Sequence, residues 1–266
     1  MAGTALRYPL TCMSRYAELL DALRVVLTPS DELVYAEVGT YTGSYSQRVW
    51  ELLKPSQMHL MDLWANTHRA QNSTFVQRRD GTTYQVYRAR NMQIVSEAFR
   101  SQIREGRVVL HRGLSQETIP RLANKSLDVA WIDSMHDYAT PAIELALIRS
   151  KMKPSGLICG HDYTHAAGSA YYERVESKDR GDAYNSYGVI EAVHEFLLFN
   201  PAWFFALKTS VTTDRAHTSF CLAQHANFPH ERYAALRQAC REAATVEADA
   251  ATRSEPIDLA VHKPSF

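Results

Sequence analysis

The first residues in this sequence that could do chemistry are two acids set around a pair of glycines. In VYAEVGTYTGSYS (34–46) an apolar run carries Glu37, breaks at Gly39 and Gly43, and then turns polar and helix-competent. Glycines at such a break let the backbone bend tightly and approach a ligand closely. A dinucleotide turn ordinarily reads G-x-G-x-x-G, which seats a pyrophosphate on a helix N-terminus. Here the spacing is G-x-x-x-G and a carboxylate precedes it. That carboxylate would repel a pyrophosphate and attract a ligand with a cationic end. Asp62 follows Gly43 by 19 residues, at the end of the next apolar run. A carboxylate there can accept hydrogen bonds from both hydroxyls of a ribose. Taken singly, the glycines read equally as a plain tight turn and Asp62 as a solvated acid. Their joint spacing favours a ligand, and S-adenosylmethionine, with its ammonium and sulfonium, meets both demands.

The elements that must position these groups alternate along the chain. Residues 33–39 and 58–64 read as strands flanking a helix over 44–53, a βαβ unit. Further strands are expected at 107–113, 127–133 and 157–163, with helices over 89–105, 116–122 and 141–152 and a turn at Lys153–Gly156. A helix over 187–199 leads to a closing hairpin, 203–210 and 218–224. The pattern predicts an α/β fold: a Rossmann-like seven-stranded sheet, mostly parallel with one antiparallel strand near the C-terminus, and helices on both faces. Around this domain, 31–228, lie an N-terminal helical segment, 1–30, with a helix over 13–27, and a C-terminal helix and tail, 229–266. Variable inserts are expected at 65–106 and 164–187; the second is too long and polar for an ordinary connection.

Lys+Arg and Asp+Glu both number 29, so the formal net charge is zero. This argues against nucleic acid as the main partner, since phosphate binding favours a basic excess. The four cysteines are widely spaced with no C-x-x-C pair, so neither a disulfide framework nor a zinc knuckle is expected and a reducing compartment fits. Residues 1–10 lack a signal-peptide profile, and no apolar run reaches the roughly 18 residues that span a bilayer. The expectation is a cytoplasmic protein with no membrane partner. The N-terminal helix either covers the site or pairs with a second subunit in a homo-oligomer.

In an open α/β sheet, ligands lie beyond the carboxyl ends of the strands. Five expected strands end there in Glu37, Asp62, Arg112–Ser115, Asp133–Tyr138 and His161–Tyr163. At this point the chain resembles class I S-adenosylmethionine-dependent methyltransferases. The resemblance is carried by AEVGTYTG (36–43), HLMDLW (59–64), DVAWIDSMHDY (128–138) and GHDY (160–163), together with KPSG (153–156) and YGVIEAVHEFL (187–197). It spans roughly residues 33–225 and points to the small-molecule O-methyltransferase group. It implies that Glu37, Gly39 and Gly43 line the methionine end of the cofactor, with Thr40, Tyr41 and Ser44 of the same turn. Asp62 would take the ribose, beside Leu63 and Trp64. Gly113 and Ser115 would lie near the adenine, and Asp133 near the sulfonium and the acceptor.

The expected acceptor is a hydroxyl on a small molecule, such as a sugar or a glycosylated or natural-product metabolite. A neutral alcohol must lose a proton to become a good nucleophile, and a histidine near pKa 6.5 suits that task. His136 is the first choice of base, Asp133 the second, and His161 shares the rim; either histidine reads otherwise as a loop-fixing residue. The resemblance also raises Mg²⁺ or another divalent cation, with Asp133 and Asp162 as ligands and Tyr163 standing where a third oxygen ligand is usual. Two rival functions remain: a NAD(P)-dependent oxidoreductase, which Glu37 and the missing third glycine disfavour, and a non-catalytic S-adenosylmethionine-binding module.

Overall fold

The apolar runs pair into one sheet. A computed structural model of the chain describes residues 10–13, 23, 27, 32–65, 84–163, 188–210, 218–226, 231, 234 and 238. In chain order the elements are β1 (Leu10–Met13), β2 (Val34–Val38), α1 (Ser44–Leu53), β3 (Gln57–Asp62), α2 (Tyr84–Ala98), α3 (Arg100–Arg104) and β4 (Val108–Arg112). There follow α4 (Ser115–Thr118), a 3₁₀ turn (Ile119–Arg121), β5 (Leu127–Ile132), α5 (Ala139–Arg149), β6 (Met152–Gly160), α6 (Val189–Phe199), β7 (Trp203–Ser210) and β8 (Phe220–Gln224). The sheet order is β1-β7-β8-β6-β5-β2-β3-β4. Only β8 runs against its neighbours, antiparallel to both β6 and β7.

Successive strand residues face opposite sides, and each side is covered by helices. On one side Val49 of α1 and Val95 of α2, with Phe99, pack on Tyr35, Met58, Leu60, Val129 and Trp131. On the other, Ile119, Leu145, Ile148, Val193 and Phe196 pack on Ala36, Val38, Met61, Ala130 and Ile132. Each such aliphatic side chain taken from water contributes about 1.5–3 kcal/mol. The strand order reverses beside β2: β3 and β4 lie on one side of it and β5 on the other. A crevice opens at such a switch point, above the carboxyl ends of the strands.

Several local expectations are corrected. The sheet has an eighth strand, β1, which lies within the segment expected to be helical and pairs in parallel with β7. A four-residue edge strand abutting a helix-periodic run has no periodic signature of its own. Lys153–Gly156 is not a turn but part of β6: Leu127 pairs with Met152, yet Val129 pairs with Leu157. The extra residues, Pro154 and Gly156 included, are taken up as a bulge, the position where a strand tolerates both. Within 65–106, α2 and α3 form the crossover from β3 to β4. The calls on 66–83, 164–187 and the hairpin turn at 211–217 lie outside the described residues, as do most of the N-terminal helix, the C-terminal helix and the tail. None of the described helices is long and apolar enough to cross a membrane.

Cysteine spacing also misled. Cys159 and Cys221 stand opposite each other in the β6–β8 register, Cα–Cα 4.0 Å, and form a disulfide. The bond joins residues 62 apart in sequence, so nothing local announces it. Spacing therefore gives no support to a reducing compartment. Closing a loop of that length stabilises the fold by about 4 kcal/mol in the chain-entropy description. Unfolding the full chain in denaturant should expose at least two more titratable thiols with reductant than without; equal counts would contradict the disulfide.

Candidate functional site

The loops after β2 and β5 meet at the switch point. The Asp133 N–H donates to Val38 O at 2.8 Å. Gly39 has φ +93°, and a Cβ there would lie 1.9 Å from the Asp133 carbonyl oxygen. Only glycine fits that contact. The turn is also tied to β3: the Gly39 and Thr40 N–H groups donate to Met61 O at 2.8 and 3.2 Å, and the buried Thr40 Oγ1 at 3.4 Å. Gly43, with φ +73°, caps α1 and lies against Val95, whose Cγ2 would be 3.0 Å from an added Cβ. Ser44 opens α1 and is exposed.

Asp62 fastens the same turn from its other side. Its Oδ2 accepts from the Tyr41 N–H at 2.8 Å and its Oδ1 from the Trp64 N–H at 2.7 Å. Trp64 is 1 % exposed and its indole N–H donates to Tyr41 O at 2.9 Å, so it supports the turn from within the core. Leu63 is half-buried between them. The Gly113 N–H donates to Asp62 O at 3.1 Å, which brings the loop after β4 to the same corner. A carboxylate oxygen accepts more than one hydrogen bond, so these contacts leave Asp62 able to take a further donor.

Glu37 lies beneath the turn and is 2 % exposed. Its two oxygens accept from Tyr35 Oη and Ser46 Oγ, each at 2.9 Å. Burial pushes its carboxyl up to about pKa 8; the Ser46 and Tyr35 hydrogen bonds oppose this, and the charges of Asp133 and Asp62 add to it. Among the described residues its hydrogen-bond donors are neutral and its charged neighbours acidic, and a cationic ligand would favour its ionised form.

Asp133, His136 and Asp162 converge, with one ligating atom from each within 4.8 Å of the others. His136 Nε2 lies 2.8 Å from Asp162 Oδ2 and 3.8 Å from Asp133 Oδ1. Burial pulls His136 down, but the hydrogen bonds and charges of Asp133 and Asp162 outweigh it and push the imidazole up to about 9. At neutral pH it is therefore a cation held by two carboxylates. His161 backs the cluster, with Nδ1 3.5 Å from Asp162 Oδ1 and 3.9 Å from Asp133 Oδ1. The loop is pinned where the Gly188 N–H donates to His136 O at 2.8 Å and where Tyr138 Oη donates to Glu195. Asp137 Oδ1 accepts from the Thr140 N–H at 2.8 Å and so caps α5. Tyr163 turns into the core, where its hydroxyl meets His194 Nε2 at 2.7 Å.

These three side chains can converge on a divalent cation, and the cluster is the one such group of His, Cys, Asp and Glu among the described residues. A cation there would have to displace the His136 proton, because only neutral imidazole is a ligand. The donor set has one nitrogen, which suits an imidazole-tolerant metal better than Mg²⁺.

Sequence reading missed the groups that hold these acids. Tyr35 sits two residues before Glu37, on the same face of β2, which strand alternation could have shown. Ser46 and Val49 are the buried positions of α1, and Ser46 was the polar one. Glu144 is buried on α5 in the stripe Pro141, Glu144, Leu145, Ile148, an acid in an apolar periodicity.

Residues 36–163 match a family model described as a methyltransferase domain. The matched stretch holds Glu37, the glycine turn, Asp62 and the Asp133–His136–Asp162 cluster. No curated protein matches the chain by sequence. Solved structures share its fold at low identity. A suggested caffeoyl-CoA O-methyltransferase from Staphylococcus aureus is 13% identical, with 79% of this chain and 84% of that one covered and a TM-score of 0.50. A geranyl diphosphate methyltransferase in complex with SAM is 7% identical, with 78% and 85% covered and a TM-score of 0.52. A protein from Corynebacterium glutamicum is 12% identical, with 80% and 82% covered and a TM-score of 0.50.

The His136–Asp162 pair has a definite pH signature. A histidine raised above its ordinary 6.5 stabilises the fold fully below that value and loses the contribution as pH rises through about 9. An NMR titration should place the His136 imidazole near 9, and Asp162→Asn should lower the midpoint by a unit or more. A wild-type midpoint near 6.5 would contradict the pairing.

Proposed function

We propose that this chain is an S-adenosylmethionine-dependent methyltransferase that methylates a hydroxyl oxygen of a small molecule, a sugar or a glycosylated or natural-product metabolite. The observation that carries this reading is Glu37, a desolvated carboxyl whose partners among the described residues bring no positive charge, under a glycine turn in the stretch that matches the methyltransferase-domain model. The G-x-x-x-G spacing lacks the third glycine of a dinucleotide turn, which disfavours a nicotinamide enzyme.

The bound cofactor supplies a methyl group on a positively charged sulfur. In this reading Glu37 and the backbone from Gly39 to Ser44 hold its methionine end. Asp62 takes the ribose hydroxyls, flanked by Leu63 and Trp64, and Gly113 and Ser115 border the adenine. Asp133 faces the reacting centre. Alignment of the acceptor and exclusion of water supply much of the acceleration. When that methyl group passes to the acceptor, a base of this chain would take the hydroxyl proton. In this reading His136 takes that proton once its own has gone, with Asp162 fixing its orientation and His161 backing Asp162; Asp133 is the alternative acceptor. Because the resting imidazole is protonated, turnover through His136 rises with pH toward about 9.

A second reading rests on the converging Asp133, His136 and Asp162, which could instead hold a divalent cation. Product analysis over a panel of hydroxylated acceptors, with and without chelator, tests both. Methylated product is expected from S-adenosylmethionine, with turnover that survives chelation and falls about 10²–10⁴-fold in His136→Ala. Loss on chelation, restored by a divalent metal, would make the three residues ligands. Unchanged turnover in His136→Ala would remove it as the base. Binding of NAD but not S-adenosylmethionine would overturn the reading, and cofactor binding without any methylated product would leave a binding module.

A further inference from the structure

Two histidines that the mechanism above does not use face each other near the edge of the sheet. His59 lies inside β3 and His111 near the end of β4, the last strand in the sheet order. His111 stands opposite Met61 in the parallel register, and His59 precedes Met61 by two residues. All three side chains therefore project from the same face, the one on which Met61 packs with Ile119 and Leu122. His59 Nδ1 lies 3.0 Å from His111 Nε2, with the ring centroids 5.2 Å apart and the rings tilted by 45°. Both residues are half-buried, so water reaches the pair. Burial lowers both imidazoles, His59 to about 4; His111 adds to the shift of His59, and Arg121 to that of His111. Both rings are neutral at pH 7, the state in which imidazole is a ligand.

An apolar pair would fill these positions on a strand face without desolvating two imidazoles. The spacing suits a different use. Two nitrogens bound to one metal at about 2.0–2.1 Å stand about 2.9–3.4 Å apart, for angles from square to tetrahedral. The 3.0 Å separation meets that requirement with the strands where they are. We propose that His59 and His111 form a two-imidazole site for a divalent transition metal, which water completes and which ties β4 to β3. His59 would bind through Nδ1 and His111 through Nε2, each keeping its one proton on the other ring nitrogen. The N–H now shared between the rings moves to that far nitrogen by a change of tautomer. Arg121 would repel a bound cation, which favours the metals that bond imidazole most strongly, Cu²⁺ above Zn²⁺. The pair differs from the Asp133–His136–Asp162 cluster, where a cation must first displace a proton. It rests on no part of the methyltransferase reading.

The test titrates Cu²⁺ into the full chain, freed of metal by chelator, and follows the amide signals by NMR. Substoichiometric Cu²⁺ should broaden the signals of β3 and β4 around His59 and His111. His136→Ala, which removes a ligand of the other cluster, should leave that broadening in place. His59→Gln and His111→Gln should each abolish it; glutamine keeps a side-chain amide that can hydrogen-bond the remaining imidazole. Calorimetry with Zn²⁺ gives a second readout. Either glutamine variant should weaken this binding about tenfold or more, the least that losing a partner of a metal ligand costs. Broadening of the wild type that spares β3 and β4 would overturn the proposal, as would Zn²⁺ and Cu²⁺ binding that is unchanged in both glutamine variants. If neither variant folds, the broadening pattern of the wild type decides the matter alone.

Discussion

The site depends on one close contact: the backbone of Gly39 against the carbonyl of Asp133. A side chain at Gly39 would place its Cβ 1.9 Å from that oxygen, so the two loops at the switch point approach only because this residue has none. From the contact follow the positions of the acids around it. Glu37 is sealed below the turn, Asp62 is fastened beside it by the Tyr41 and Trp64 N–H groups, and Asp133 is held above by the Val38 carbonyl. Three carboxylates from three adjacent strands are thereby gathered around the switch point.

Gathering acids raises their mutual repulsion, and the described residues answer it in two ways. Around Asp133 and Asp162 the answer is His136, whose imidazole is held in its charged form and offsets one of the negative charges. Around Glu37 no histidine stands in that role; Tyr35 and Ser46 donate hydrogen bonds but bring no charge, and the carboxyl holds its proton to about pH 8. The two groups of acids therefore differ. One carries its own cation, and the other has room in its electrostatics for a cation supplied from outside. A ligand positively charged at one end and polar along a ribose matches that asymmetry.

Much of the architecture was legible in the sequence because a parallel sheet leaves a strong periodic record. The buried runs around Glu37, Asp62, Asp133 and Gly160 lie at the expected strand ends, and α1 occupies the predicted 44–53. What escaped was non-periodic or non-local. The bulge in β6 hid behind the turn-like residues Pro154 and Gly156, and the Cys159–Cys221 bond joins residues brought opposite only by sheet register. The same holds for the site. The acids stood out at strand ends, whereas Ser46, which donates to Glu37, and Glu144, which accepts from Ser134, sit on helices that only tertiary packing brings near. His136 and Asp133, read from the sequence as alternative bases, lie near each other, and His136 makes its shorter contact with Asp162, which the sequence did not pair with it.

The most direct measurement of the central claim is the proton balance of cofactor binding, from calorimetry at pH 7 in buffers of different ionisation enthalpy. If the charged ligand draws Glu37 into its ionised form, wild-type protein should release close to one proton per S-adenosylmethionine bound, and Glu37→Gln should release none at that site. Binding with no proton release in the wild type, or with the same release in Glu37→Gln, would contradict a Glu37 carboxyl that discriminates by charge.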